Sequence, residues 1–237
     1  HHFSSLFMAN FISDLLNLCY PLVCAACGNG LFQGESVICT HCLYHLPKTN
    51  FHLQEGNPVE KQFWGKVPVF AATALYYFNK GQRVQHLIHR LKYQGDKEVG
   101  SFTGRYLGLE LLKSTRYQDV THVIPVPLHE SKKRLRGYNQ SDFFGEGIAE
   151  SMRIPFIPDF LIRQQATSSQ TRKARYSRFE NMNRMFILNE KYETQKPHFL
   201  LVDDVITTGS TLASCAETLL LTPNSRVSLA TIAYARL

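Results

Sequence analysis

From residue 67 onward, short runs of β-branched and aromatic residues alternate with longer stretches whose apolar positions recur at helical spacing. Val67–Phe78 is of the first kind and predicts a strand or hairpin arm. Val84, Leu87, Ile88 and Leu91 then fall at i, i+3, i+4 and i+7, which predicts a helix, with a second over about Val99–Leu112. His122–Val126 is a short apolar strand closed by Pro125 and Pro127. Gln140–Met152 is helical in pattern, with Phe143, Phe144, Ile148 and Met152 on one side. Phe186–Leu188, Phe199–Val202 and Val227–Ala233 are further strand candidates, and Thr211–Leu221 is a helix between the last two. Strands alternating with helices predict an α/β fold whose mainly parallel sheet is flanked by helices.

The remainder lacks this rhythm. Residues 8–50 form a compositional unit, with an apolar lead-in (Phe11, Ile12, Leu15, Leu16, Leu18) followed by paired cysteines. Leu53–Lys66 is polar, with Gly and Pro, and reads as a linker or cap; Ala166–Arg184 is polar and basic and reads as a long loop. The expected organisation is a small unit over 8–50 and a larger domain over 67–237. Residues 1–7, which open on His1 and His2, are left out of the fold reading as an expression remnant, with Met8 as the expected natural start.

The hydrophobic content of 44% is ample for a core, and a net charge of +7 suits anionic partners such as phosphates or nucleic acid without separating them. No run approaches the roughly 18–20 apolar residues of a spanning helix. The expectation is a cytoplasmic protein with no membrane insertion.

Five of the six cysteines crowd the first fifth of the chain. Cys24-x2-Cys27, eleven residues, and Cys39-x2-Cys42 make two knuckles. Four thiolates aimed at one point form the tetrahedral sulfur site that Zn²⁺ prefers, and a filled shell leaves no position for chemistry. Gly28 and Gly30 supply the tight backbone. The competing reading is a pair of redox motifs, but no βαβ context surrounds them. Cys19 and His41 are alternative ligands, and Cys215, at an apolar helix position, reads as core.

The densest polar signal is PHFLLVDDVITTGSTL, residues 197–212. Phe199–Val202 reads as a strand buried on both faces, and ligands in open α/β sheets bind beyond the carboxyl ends of strands. Asp203 and Asp204 stand at that end. Thr207, Thr208, Gly209, Ser210 and Thr211 form the turn into the next helix, where free N–H groups and hydroxyls suit a phosphate and Gly209 permits close approach. Carboxylates for hydroxyls or a metal, with a phosphate cradle nearby, match a ribose 5-phosphate. An ordinary helix N-cap is the alternative. Neither G-x-x-x-x-G-K-[ST] nor a G-x-G-x-x-G after a strand is present.

FLLVDDVITTGST closely resembles the phosphoribosyl-pyrophosphate (PRPP) signature of type I phosphoribosyltransferases. The four-cysteine knuckle, RLKYQGD (90–96), VIPVPLHESKKRLRGYNQ (123–140), QATSSQTRKARYSRFEN (165–181) and the signature, in this order, resemble the ComF family of competence-associated proteins. The resemblance runs from about Cys24 nearly to the end. It implies a type I phosphoribosyltransferase-like sheet with a small N-terminal zinc-binding unit. It also implies that Asp203 and Asp204 hold the ribose 2- and 3-hydroxyls at the reacting centre. Val205, Ile206 and Thr207–Thr211 would line the PRPP site, with Mg²⁺ bridging pyrophosphate and ribose oxygens. Arg136, Gly137 and Asn139, after an early core strand, are the pyrophosphate candidates. Arg172, Lys173, Arg175 and Arg178 fall in the long loop that the family fold uses as a mobile cover. Lys92 and Tyr93 are further candidates. The bland alternative for the basic residues is a solvated face. Thr207 stands where purine-salvage relatives commonly carry an aspartate, so purine salvage is disfavoured.

Two functions follow from the resemblance. One is a Mg²⁺- and PRPP-dependent phosphoribosyltransferase that releases pyrophosphate to an acceptor the residues leave open. The other is a non-catalytic competence or DNA-uptake component that binds single-stranded DNA or competence-machinery proteins and uses the PRPP site to sense a ligand.

Overall fold

The computed structural model describes residues 22–79, 82–164 and 185–236. Four strands form one wholly parallel sheet: β1 (Ala71–Phe78), β2 (His122–Pro125), β5 (His198–Ile206) and β6 (Arg226–Ala235), in the order β1-β6-β5-β2. Each crossover between parallel strands requires a long connection, and helices fill these on both faces. The helices are α1 (Thr40–His45), α2 (Pro58–Lys61), α3 (Arg83–Tyr93), α4 (Lys97–Leu111), α5 (Glu130–Arg136), α6 (Gln140–Met152) and α7 (Ser210–Leu219).

Both faces of the central strands are buried, as a near-continuous apolar run requires. Leu200 and Val202 pack with α3, α4 and α6, while Phe199 and Leu201 pack with α7. The α4–α6 contact is set by glycine. A Cβ on Gly104 would lie 2.1 Å from the Phe144 carbonyl oxygen, and one on Gly147 would lie 2.4 Å from that of Ser101. The two backbones therefore approach to a distance no side chain permits, which draws the first turn of α6 over the carboxyl end of β5.

Two extended segments close the sheet edges. Tyr77 donates to the Pro47 carbonyl and Thr49 to that of Leu75; on the far side Val123 donates to Pro155 and Ile157 to Val123. Covering both edges removes unpaired ladder groups that would otherwise recruit another chain.

Three expectations are corrected. The strand expected over Val67–Phe78 begins at Ala71, and Pro68, which has no N–H to offer a ladder, lies in the excluded part. Phe186–Leu188 (β4) is outside the parallel sheet. It pairs antiparallel with Leu161–Arg163 (β3), a strand the periodicity does not mark because only Leu161 of its three residues is buried. The strand expected to stop at Val202 continues through both aspartates to Ile206, because β6 runs alongside it, with Asp203 opposite Thr231 and Val205 opposite Ala233.

Leu53–Lys66, read as linker or cap, is a cap. Val59 and Phe63 are buried against the α7 side of the core. The Asn57 amide donates to the carbonyls of Phe51, Gln54 and Ala72, and the Glu60 carboxylate accepts from the N–H groups of Gly56 and Ala72. Cys24, Ala25, Ala26, Cys39 and Cys42 share one buried cluster with Val84, Leu87 and Leu91, so the described part of the cysteine unit packs on the larger body. The lead-in over residues 11–18 lies outside the described residues.

Candidate functional site

β2 ends at Pro125, opposite Val202, and its chain departs toward α5 and α6. Among the described residues, β5 has a ladder partner on one side only from Asp203 onward, where it runs past the end of β2. Open α/β sheets bind ligands at such a place.

Two adjacent carboxylates are accommodated here by local geometry. An extended backbone turns successive side chains to opposite sides, and each carboxylate has its own partner. Asp203 Oδ1 accepts from the Ser141 hydroxyl at 2.9 Å and from the Asp204 N–H at 2.9 Å. Asp204 Oδ1 lies 2.8 Å from the Lys92 ammonium. Burial and the neighbouring Asp204 charge push the Asp203 carboxyl up to about 7, against the pull of the Asp204 N–H, Ser141 and Lys92. Each aspartate is thus fixed through one oxygen.

β5 leads directly into the Thr207–Thr211 turn. Thr207, Thr208, Ser210 and Thr211 are exposed and Gly209 is buried. Gly209 is the N-cap of α7 with φ +73° and has no side chain to cap it; Thr208 Oγ1 accepts one long bond, 3.5 Å, from the Ser210 N–H. The capping alternative therefore leaves most of the hydroxyls unexplained; Thr208 Oγ1 and Ser210 Oγ lie 3.1 Å apart and face each other instead. A Cβ on Gly209 would sit 3.0 Å from the Phe63 ring, so the cap segment supports this turn from beneath. Hydroxyls and amide N–H groups around a tight turn at a helix N-terminus can receive an anion.

The α5–α6 junction supplies cations and amides. α5 buries none of its residues, and Lys132, Lys133 and Arg134 are exposed. Arg136 turns inward: its guanidinium lies over the Tyr93 ring at 5.3 Å and donates to Gln140 Oε1 at 2.9 Å. Arg136 Nε and Gln140 Nε2 are buried without a partner in the structure. Unspent buried donors beside a strand end are what an incoming oxygen-rich ligand would use. Gly137 ends α5 at φ +79°. Asn139 is buried and donates to the Val126 carbonyl and to Asp142, whose carboxyl burial raises to about 6.

Of the sequence-predicted residues, the structure brings together Asp203, Asp204 and Lys92, and separately Tyr93 and Arg136. Gly137 and Asn139 follow at the same junction. Arg172, Lys173, Arg175 and Arg178 lie outside the described residues. Ser141 was missed, although it directly follows Gln140 in RGYNQS, as were Gln140 itself as a donor and Phe63 beneath Gly209. No local pattern marks them, since each acquires its place through tertiary packing.

The second cluster is metal-like. The sulfurs of Cys24, Cys27, Cys39 and Cys42 all lie within 4.8 Å of one another, and those of Cys27 and Cys39 are 3.8 Å apart. A tetrahedral zinc with Zn–S bonds of about 2.3 Å spaces its sulfurs about 3.8 Å apart, so the four cysteines fit a chelated metal. Backbone N–H groups of Ala26 and Cys39 point at Cys24 Sγ. Burial alone would push the Cys24 thiol up, but the N–H groups of Cys39, Cys27 and Ala26 reverse this and bring it to about 7. Gly28 takes φ +78° at the first knuckle. His41 stacks on His45 at 4.2 Å and is not in the cluster; Cys19 lies outside the described residues. Cys215 is fully buried and free. No helix among the described residues is long and apolar enough to cross a membrane.

No family model matches the chain. The DNA utilization protein YhgH of Shigella flexneri is 30% identical over 202 residues, covering 84% of this chain and 84% of that protein. Competence protein F of Haemophilus influenzae is 28% identical over 200 residues, covering 83% of this chain and 77% of that one. Among solved structures, the adenine phosphoribosyltransferase of Leishmania tarentolae covers 80% of this chain and 94% of its own, at 12% identity and a TM-score of 0.37. That likeness is loose.

Proposed function

The chain belongs to the ComF family of competence proteins, and from that premise we propose that it serves DNA uptake or utilisation. In this reading its strand-end site binds PRPP or a related ribose 5-phosphate with Mg²⁺. The observation that carries the reading is the pairing of two singly tethered carboxylates with a hydroxyl-rich turn closed around Gly209. Asp203 and Asp204 offer their remaining oxygens to ribose hydroxyls or the cation. Thr207–Thr211 take the 5-phosphate, with Val205 and Ile206 shaping the approach. Arg136, Gly137 and Asn139, with the unspent donors of Arg136 and Gln140, face the pyrophosphate. The relatives named for competence and DNA utilisation support placing this site in DNA handling, with single-stranded DNA or competence-machinery proteins as partners. The four cysteines hold structural Zn²⁺, as their sulfur-only donor set and spacing favour.

A second reading, catalysis, is favoured by the same unspent donors. Mg²⁺, when bound, would neutralise the pyrophosphate. Arg136 and Gln140 would stabilise charge on the leaving group, and the aspartates would orient the ribose. No nucleophilic side chain is required. Thr207 cannot serve as a general base near neutral pH, so purine acceptors remain disfavoured.

Pyrophosphate release from PRPP across a panel of acceptors separates the readings. The binding role predicts PRPP affinity without turnover, together with salt-dependent single-strand DNA binding that survives Asp203→Asn/Asp204→Asn. Turnover with any acceptor that the double variant abolishes would establish the enzyme instead. Absence of both PRPP and DNA binding would defeat the proposal.

A further inference from the structure

Lys92 is the single lysine of α3, an element far in sequence from the aspartate motif, and its side chain is largely covered. It reaches Asp204 Oδ1 at 2.8 Å. The next residue, Tyr93, carries the Arg136 guanidinium on its ring at 5.3 Å. One turn of helix therefore touches both the aspartate pair and the basic junction. The Tyr138 hydroxyl fixes that turn by donating to the Leu91 carbonyl, and the Arg90–Asp96 ion pair at 2.7 Å fixes its exit. So many constraints on one turn place the ammonium; it is not a free surface charge that drifted to an acid.

Among the described residues, the groups facing Asp203 are Asp204 on its own strand, Lys92 from α3, Ser141 from α6 and Cys215 from α7, while its β6 neighbour Thr231 is uncharged. Lys92 is the cation among them. With both carboxylates ionised, one ammonium against two leaves one negative charge unmatched, available to a cation.

We infer that Lys92 is a positioning residue of this site. It holds Asp204 through one oxygen while the site is empty, then turns to the anionic part of a phosphorylated ribose once the ligand's own cation or hydroxyls engage the aspartates. The inference deepens the ribose-phosphate reading proposed above and rests on it. It assigns α3 a part in recognition: the ligand must bring both a cation for the carboxylates and an anion for the released ammonium. A PRPP·Mg²⁺ complex has both, whereas a ribose without phosphate does not.

The test uses the full chain with Lys92→Met and Lys92→Arg, the second keeping the charge. In the ligand-free protein, the Asp203 carboxyl is followed by carbon-13 NMR against pH. Lys92 opposes its protonation, so Lys92→Met moves the midpoint to higher pH and Lys92→Arg returns it. PRPP with Mg²⁺ is then titrated at pH 7. Lys92→Met weakens binding by about tenfold or more, the scale of one charge-assisted hydrogen bond, and moves the pH profile of binding the same way, while Lys92→Arg restores both. Unchanged affinity together with an unchanged Asp203 midpoint would overturn the inference. A wild type that binds no PRPP would sink the ligand reading instead. The ligand-free titration would still decide Lys92: a moved midpoint upholds its hold on the aspartates, and an unmoved one removes it.

Discussion

β5 carries buried titratable groups at both ends, and the two ends are built differently. At the amino end His198 is almost fully buried, and both of its ring nitrogens are engaged, Nδ1 with Asp119 and Nε2 with the Ser228 hydroxyl, each at 2.8 Å. Asp119 gives its other oxygen to Arg226. Serine, histidine and aspartate in line resemble a catalytic triad, but Ser228 has no exposure and sits within β6, so nothing can reach it. At the carboxyl end Asp203 and Asp204 are each tied by one oxygen, and Arg136 Nε and Gln140 Nε2 are unspent nearby. A polar group whose capacity is used within the fold is structural; one left with unspent capacity is available to a ligand. The cysteine cluster follows the first pattern, since four ligands fill a tetrahedral shell.

That contrast can be broken at several points. The largest effect is expected at the cysteines. Chelation of the metal, or Cys42→Ser, unfolds the knuckle, since a structural zinc site contributes on the order of 10 kcal/mol to folding in isolated fingers. Circular dichroism and proteolysis within residues 22–50 would report it; an unchanged fold would remove the metal assignment. Next is the amino end of β5. His198→Ala strands the buried Ser228 hydroxyl and takes one of Asp119's two partners, leaving Arg226, and should cost about 2–4 kcal/mol by urea denaturation while leaving PRPP affinity unaltered. A loss of affinity there would erase the distinction between the two ends.

Smaller effects belong to the carboxyl end. Gly209→Ala meets both the positive φ and the Phe63 ring, so it should cost about 1–2 kcal/mol and weaken phosphate binding more than it lowers Tm. Asp203→Asn should do the reverse of an ordinary core mutation. The folded-state pKa of Asp203 is raised to about 7, so the folded protein holds this proton more tightly than the unfolded chain does. The stability this lends is present below the unfolded value near 4 and is lost as pH rises through about 7. Asp203→Asn removes that loss. Calorimetry should find the variant more stable than wild type at pH 8, by on the order of 1 kcal/mol, with the gain shrinking toward pH 5. A variant less stable than wild type at pH 8 would mean that the carboxylate is a structural group like His198.

Much of this was legible in the residues because much of it is local. Helical spacing in Val84–Leu91 and in Gln140–Met152, and the paired C-x2-C turns, need only neighbours to be read. The aspartate motif was legible for the same reason: a strand, two acids and a glycine turn are contiguous. What the chain alone hid was set by partners distant in sequence. β5 runs past its aspartates only because β6 lies beside it, and β3 exists only against β4. Ser141 acquires its role because Gly104 and Gly147 let α4 and α6 close together above β5. Leu53–Lys66 looks like a linker until Phe63 is seen beneath Gly209. Lys92 could be suspected from RLKYQGD, but its partner could not be named without the fold.

The central claim is that the carboxyl end of β5 is an open site for a phosphorylated ribose. Isothermal titration of PRPP with Mg²⁺ into the wild type and Asp203→Asn/Asp204→Asn tests it most directly. The account predicts one saturable site in the wild type and a loss of about 100-fold or more in the double variant, with Tm held or raised. Equal affinity in both proteins, or no binding by a folded wild type, would contradict it.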